Sequence, residues 1–313
     1  MNSRTTCGAA PAGNRGSAAS RSWVTIVEPP STVPSITSGP NGATNDTTPT
    51  WAFTGAAQDE TYQCSMDGDP FTDCTSPFTS ARLSDGDHTF QVRTEDQAGN
   101  TGSPASRDIT VDTVAPGDPA VSGLPSGATS SSAVSVNLAG EPGSTFTCSL
   151  DGAAFTPCTS PFTASGLADG THELQVKAVD AAGNTSGATS STWTVDTTPP
   201  SPAPTLDGVP VSPTSGTSAS ISFSATETGT TFQCQIDGGA WATCTSPVSL
   251  TALVDGTHVV RVREVDAAGN AGEAAVATWT VDTVPPVAVP TISGVPPSVT
   301  ASTALAATLG GAR

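Results

Sequence analysis

Charge is scarce in this chain. Only 12% of its 313 residues are Asp, Glu, Lys or Arg, against about 25% in ordinary soluble domains. Lysine occurs once, at Lys177, and 10 basic residues stand against 28 acidic ones, for a formal charge of −18. Nucleic acid and anionic membrane surfaces both need clustered Lys and Arg, so phosphate backbones are excluded as partners. Aromatic residues are 5% of the chain, which leaves little material for a polar, ring-lined active site. No stretch approaches the ~18 consecutive apolar residues of a membrane helix, so no insertion into a bilayer is expected from this segment. Met1 to Ala10 shows no apolar run of the kind that marks a secretory signal. What is abundant is turn formers, 31 Gly and 27 Pro. Their share is below the ~25–30% at which aperiodic sequence reads as disordered, so a folded, turn-rich protein is expected.

Length alone suggests two domains at roughly 150 residues each, with room for an enzyme. Internal repetition changes that estimate. Tyr62-Gln-Cys-Ser-Met-Asp-Gly68 returns as Phe146-Thr-Cys-Ser-Leu-Asp-Gly152 and as Phe232-Gln-Cys-Gln-Ile-Asp-Gly238, 84 and then 86 residues later. His88, His172 and His258 keep the same spacing. So do Ala98-Gly-Asn100, Ala182-Gly-Asn184 and Ala268-Gly-Asn270, and Val111-Asp-Thr113, Val195-Asp-Thr197 and Val281-Asp-Thr283. Partial matches reach both ends. Ala12-Gly-Asn14, Trp23 and Pro29-Pro30 match Ala182-Gly-Asn184, Trp193 and Pro199-Pro200, and Pro290-Thr-Ile-Ser-Gly294 echoes Pro204-Thr-Leu-Asp-Gly208. The expected organisation is the tail of a preceding repeat at 1–30, whole repeats at 31–115, 116–199 and 200–285, and the start of a fourth at 286–313. Between them run Pro-rich joints such as Val114-Ala-Pro-Gly-Asp-Pro119 and Thr198-Pro-Pro-Ser-Pro202. Proline fixes φ and disfavours helix at the residue before it, so these joints are expected to be extended and semi-rigid.

Within a repeat the apolar period is two. Tyr62, Cys64 and Met66 alternate with polar residues, as do Leu174, Val176 and Ala178, and Trp279 with Val281. Alternation at 180° per residue means half-buried strands. Turn signals such as Asp67-Gly68, Asp85-Gly86 and Gly99-Asn100 break the pattern, giving about seven short strands in ~85 residues, the pattern of an antiparallel β-sandwich. A unit of that size can fold alone, with little to spare.

The elements Leu-x-Asp-Gly-x-His, Asp-x-Ala-Gly-Asn and Val-Asp-Thr-x-x-Pro, present in all three repeats, resemble those of the bacterial immunoglobulin-like repeats of large secreted and surface proteins, including giant adhesins. The resemblance covers nearly the whole chain. It implies an all-β fold of tandem immunoglobulin or fibronectin-III-like sandwiches, an extracellular place on or outside a bacterium, and a spacer or adhesive role. The paired cysteines depart from many such repeats.

Six of the seven cysteines form pairs with nine residues between them: Cys64/Cys74, Cys148/Cys158 and Cys234/Cys244. Each pair brackets an Asp-Gly turn and so sits on a hairpin, where cross-strand Cβ atoms lie about 4.5–5.5 Å apart, close to disulfide geometry. The rival is a metal site, but two thiols per repeat with no recurring third or fourth ligand do not make a zinc tetrahedron. Disulfides place the chain in an oxidising compartment. Cys7 has no assignment. The three histidines occupy the place where immunoglobulin-type sandwiches put a corner tyrosine that bonds main chain, which favours a structural role over general base catalysis. No Ser or Cys nucleophile recurs at a fixed offset from a basic partner, so no triad is expected.

Twelve of the 20 aspartates fall at four positions repeated three times. Turn chemistry accounts for those before Gly; it accounts poorly for Asp112, Asp196 and Asp282. On an immunoglobulin-like path, Asp67, Asp85 and Asp112 would approach Asp180 across the first joint, and Asp151, Asp169 and Asp196 would approach Asp266 across the second. Carboxylates that close repel unless a hard cation binds them, and the resemblance to adhesin arrays implies Ca²⁺ between domains. No other cofactor is expected. For ligands, Phe71, Phe155 and Trp241 recur three residues before the second cysteine and are the candidates for stacking on a glycan; packing on the hairpin is their other fate. The expected function is a non-catalytic stalk of tandem repeats that contact one another and support adhesion to a surface ligand or glycan. The alternative is a carbohydrate- or surface-binding accessory module of a secreted enzyme.

Overall fold

The computed structural model describes residues 28–287 and the strand segments 291–293 and 308–310. Cys7, Trp23 and most of the partial repeats at the two ends lie outside the described residues. Strands and turns make up what is described, and no helix occurs among these residues. They form two compact units. One takes the chain up to Gly123 together with Ser135–Phe162 and Glu173–Ser191; the other takes Leu124–Val134, Thr163–His172 and the chain from Thr192 onward.

The first repeat contributes β1 (Ser35–Ser38), β2 (Gly42–Thr44), β3 (Thr50–Thr54), β4 (Glu60–Met66), β5 (Thr72–Cys74), β6 (Phe78–Thr79), β7 (Gly86–Asp96) and β8 (Ala105–Val111). They make two sheets, in the orders β1-β3-β6 and β2-β8-β7-β4-β5. Neighbours run antiparallel except β2, which runs parallel to β8 with Ala43 opposite Thr110. The period-two pattern decides what each sheet turns inward. Trp51 and Phe53 of β3 meet Cys64 of β4, Phe90 and Val92 of β7, and Ile109 and Val111 of β8, all 2% exposed or less. Trp51 and Phe90 stack across the two sheets with centroids 4.4 Å apart and planes 5° from parallel. Each large apolar side chain of this core contributes about 1.5–3 kcal/mol by leaving water, so a few well-placed rings and aliphatic side chains hold the sandwich together.

The second repeat contributes β9 (Ala120–Ser122), β10 (Ala128–Thr129), β11 (Val134–Ala139), β12 (Thr145–Leu150), β13 (Thr156–Cys158), β14 (Phe162–Ala164), β15 (Gly170–Val179) and β16 (Thr189–Val195). In the first unit β9 pairs with β11, and β12 pairs with both β13 and β15, all antiparallel. In the second unit β10 runs parallel to β16.

The third repeat contributes β17 (Thr205–Asp207), β18 (Ala219–Ser224), β19 (Thr231–Ile236), β20 (Ala242–Cys244), β21 (Val248–Leu250), β22 (Gly256–Val265) and β23 (Ala275–Val281). Its sheets run β17-β18-β21 and β20-β19-β22-β23 around Ile221, Phe223, Cys234, Val260, Val262, Trp279 and Val281. The counterpart of β2 shrinks here to one parallel bridge, Thr214 with Val281. Pro213 precedes it and has no N–H to extend the ladder. Beyond it β24 (Thr291–Ser293) pairs with β25 (Thr308–Gly310). The short parallel strand near the start of the first and second repeats is the element that raises their strand number above the expected seven.

Candidate functional site

Each cysteine hairpin starts from its turn. Asp67 and Gly68 have φ of 52° and 79°, and the pairs Asp151-Gly152 and Asp237-Gly238 repeat this at 52° and 74° and at 48° and 75°. Two successive positive φ values define the turn that matches strand twist; glycine takes the second without strain and aspartate tolerates the first. Cys64 stands opposite Thr72, and Cys74 opposite Tyr62. The cysteines are therefore diagonal neighbours rather than a directly facing pair, with Cα atoms 5.8 Å apart in each repeat. All three pairs stand at disulfide distance, with S–S separations of 2.07, 2.06 and 2.09 Å. Cys64, Cys148 and Cys234 are buried, which puts one end of each link in the core.

The recurring rings lie on these hairpins beneath a cation. Arg93 sits 4.0 Å above Phe71, Lys177 4.7 Å above Phe155 and Arg263 4.2 Å above Trp241. Arg263 also donates from Nε and Nη2 to Gln233 Oε1 at 3.0 and 2.7 Å, and Arg93 does the same to Gln63 at 3.0 and 2.8 Å. These Gln and Arg residues face each other across the strands. One face of each ring is thus occupied from within its own repeat, and three of the chain's ten basic residues are committed there. The sequence alone does not show this cation, because it lies on β7, β15 or β22, beyond the hairpin, and only the pairing of that strand with the hairpin brings it over the ring.

The histidines occupy a corner. His88 Nε2 lies 2.8 Å from the carbonyl of Ser84, and His172 and His258 make the same contact four residues back, to Ala168 and Val254, at 2.9 Å. Nδ1 of His88 lies 2.7 Å from Asp67 Oδ2, and Nδ1 of His258 2.8 Å from Asp237 Oδ2. The other carboxylate oxygen accepts the next amide, Thr89 N–H or Val259 N–H, at 2.8 Å; Asp151 accepts Glu173 N–H in the same way at 2.9 Å. The hydrogen bond to Asp67 and that to the Ser84 carbonyl raise the His88 pKa against burial, and Asp237 and Val254 do the same for His258.

The remaining aspartates also turn to local donors. Asp85, Asp169 and Asp255 accept both the amide and the hydroxyl of Thr113, Thr197 and Thr283. Asp112, Asp196 and Asp282 accept the amide two residues on, from Val114, Thr198 and Val284. Asp180 and Asp266 accept the amide of Asn184 or Asn270 on one oxygen and its side-chain NH₂ on the other. The sets expected to meet, Asp67, Asp85 and Asp112 with Asp180, and Asp151, Asp169 and Asp196 with Asp266, are not gathered into a cage. Among the described residues no three His, Cys, Asp or Glu side chains come together as a metal site would need. What links Asp112 to the Asp180 loop is Asn184, whose Nδ2 donates to the Asp112 carbonyl at 2.8 Å; Asn270 reaches the Asp196 carbonyl at 2.6 Å.

Residues 33–113 and 127–197 match the family model described as bacterial Ig-like domain. These two stretches are bacterial Ig-like domains. The third repeat has the same markers and, apart from the short parallel strand, the strand order of the first. Among solved structures the chain is similar to the FN1–FN3 domains of chicken CNTN1, at 13% identity over 78% of this chain and 99% of that one, with a TM-score of 0.36. It is similar to a structure of a 1.5-MDa bacterial ice-binding adhesin at 20% identity, covering 75% and 89% of the two chains, TM-score 0.34. It is also similar to the fibronectin(III)-like modules of Clostridium thermocellum CbhA, at 16% identity and 52% and 93% coverage, TM-score 0.38. Comparison with curated protein sequences gives no match. No helix among the described residues is long and apolar enough to cross a membrane.

Two features of the three repeats escaped the sequence reading. Ser76, Ser160 and Ser246 accept, on Oγ, the main-chain N–H of Phe53, Leu138 and Phe223 at 2.9, 2.9 and 2.8 Å, tying the segment after each hairpin to the opposite sheet. The signal was present as Thr-Ser-Pro directly after each second cysteine. Glu264, on the long strand of the third repeat, is 1% exposed. Its carboxylate takes the amide and hydroxyl of Thr226 at 2.8 and 3.0 Å and the hydroxyl of Thr230 at 2.8 Å, so this buried charge is a fold element. Thr94 and Ala178 hold its position in the other repeats.

Proposed function

We propose that the chain is a non-catalytic, extracellular spacer: tandem Ig-like domains at 31–115, 116–199 and 200–285 that hold another module of a bacterial surface or secreted protein at a distance and so support adhesion. The observation that carries this reading is that the recurring polar side chains are engaged within the array. Catalytic and binding sites need polar groups aimed at something else. Here the aspartates bond their own turns, the histidines their corners and the cations their hairpin rings. The cysteine pairs suit an oxidising, extracellular place, where a small sandwich benefits from a covalent clamp.

Small-angle scattering on the full chain tests this. The spacer reading expects a rod whose cross-section is that of a single sandwich and whose length grows with repeat number. A compact particle would overturn it. A pull-down on insoluble polysaccharide belongs beside that measurement. Retention that disappears in Trp241→Ala would favour an accessory binding module instead.

A further inference from the structure

The two joints between the three whole repeats are closed by the same groups. At the first, Asn184 Nδ2 donates to the Asp112 carbonyl at 2.8 Å, and the Asn45 amide donates to the Ala182 carbonyl at 3.2 Å. At the second, Asn270 Nδ2 donates to the Asp196 carbonyl at 2.6 Å, and the Ser130 amide to the Ala268 carbonyl at 3.2 Å. Both sides are held in place before they meet. On the loop side, Asp180 accepts the Asn184 amide and one hydrogen of its NH₂ at 2.9 Å each, and the Gly183 amide donates to the Asp180 carbonyl at 3.3 Å. Asp266 organises Gly269 and Asn270 in the same way. On the pole side, the Asp112 amide donates to the Thr44 carbonyl at 3.0 Å, the Thr44 hydroxyl accepts the Asp46 amide at 3.1 Å, and Asp112 Oδ1 accepts the Val114 amide at 2.9 Å. Thr129, Ser131, Asp196 and Thr198 repeat those bonds at the second pole.

Asparagine is the residue this geometry requires. Its NH₂ has two hydrogens, one spent on the loop's own aspartate and one on the neighbour's carbonyl. Aspartate in its place could donate neither. The pole presents only main-chain groups, so recognition there depends on backbone path rather than on side chains.

We propose that the Asp-x-Ala-Gly-Asn loop is a plug and the Thr-Asp pole a socket. Together they form a head-to-tail interaction surface whose partner is another repeat of the same chain and which closes without a bridging cation. The third repeat supplies the reference. Its pole is built identically, with the Asp282 amide on the Thr214 carbonyl at 2.9 Å, the Gly216 amide on the Thr214 hydroxyl at 3.1 Å and the Val284 amide on Asp282 Oδ1 at 3.0 Å. Among the described residues nothing donates to the Asp282 carbonyl, and the Ser215 amide has no acceptor.

This proposal rests on reading the chain as a tandem array, but its test reads neither length nor stiffness. Amide-resolved hydrogen exchange on the full chain, in chelator and corrected for intrinsic rates, should show the Asn45 and Ser130 amides protected at least tenfold over Ser215. Asn184→Asp should remove the protection of Asn45 while Gly183 and Ser130 keep theirs; Asn270→Asp should do the converse to Ser130. Asn45 and Ser130 exchanging as fast as Ser215, a comparison that needs no variant, would overturn the proposal. So would protection that appears only on adding millimolar Ca²⁺. A flexible chain in scattering with protected Asn45 and Ser130 would sink the spacer and leave the plug standing.

Discussion

A histidine whose ring nitrogens both face acceptors is satisfied only as the imidazolium. His88 and His258 are in that position, each between an aspartate oxygen and a main-chain carbonyl. Their pKa values rise above the ordinary ~6.5, so the stability they contribute is fully present below about pH 6.5 and is lost as pH climbs through the raised folded value. For Asp67 and Asp237 burial opposes ionisation, but the bonds from histidine and from the next amide outweigh it and lower the pKa. Their contribution fades only in acid. The corner is therefore strongest while both partners are charged. His258→Gln should lower the thermal midpoint at pH 6 by about 2–4 °C, the effect of a part-buried pair of roughly half a kcal/mol on a domain of this size. It should also flatten the decline of that midpoint between pH 6 and 9. A midpoint equal to wild type at pH 6, followed by circular dichroism, would count against it. The corner position was legible from the spacing of the three histidines. The aspartate partner 21 residues earlier was not, because only the folded path shows which turn lies beside the corner.

Among the elements, the cysteine hairpin was the most legible, since nine residues around an Asp-Gly turn leave few other arrangements. The diagonal register escaped because a turn's residue count does not say which strand positions face. Closing a loop of this length should contribute about 2–3 kcal/mol. Cys234→Ser with Cys244→Ser should therefore shift the urea midpoint of one transition downward, and reductant should then have no further effect on that transition. For the aspartates, element-level reasoning stops short of the partners. Strand order can bring three acids of one repeat toward a fourth across a joint, yet it does not show that Asp112 bonds the amide of Val114 or that Asp85 bonds Thr113. Such partners two or twenty-eight residues away turn each carboxylate back into its own domain.

For the whole molecule, the charge of −18 means mutual repulsion that folding cannot relieve. Raising NaCl from about 20 to 500 mM shortens the screening length from roughly 20 Å to under 5 Å. The thermal midpoint should rise by a few degrees as a result, read by scanning calorimetry. If the joints close by direct hydrogen bonds, CaCl₂ at matched ionic strength should add nothing to that rise. The joint itself has a consequence for how such a chain changes over generations. Every residue offers a carbonyl and every residue but proline an amide N–H, so a loop that recognises them does not care which sister sequence it meets. Unequal recombination within the reading frame could add or remove a whole repeat and leave every remaining junction correctly matched, making reach a quantity that inheritance can adjust in steps of one module.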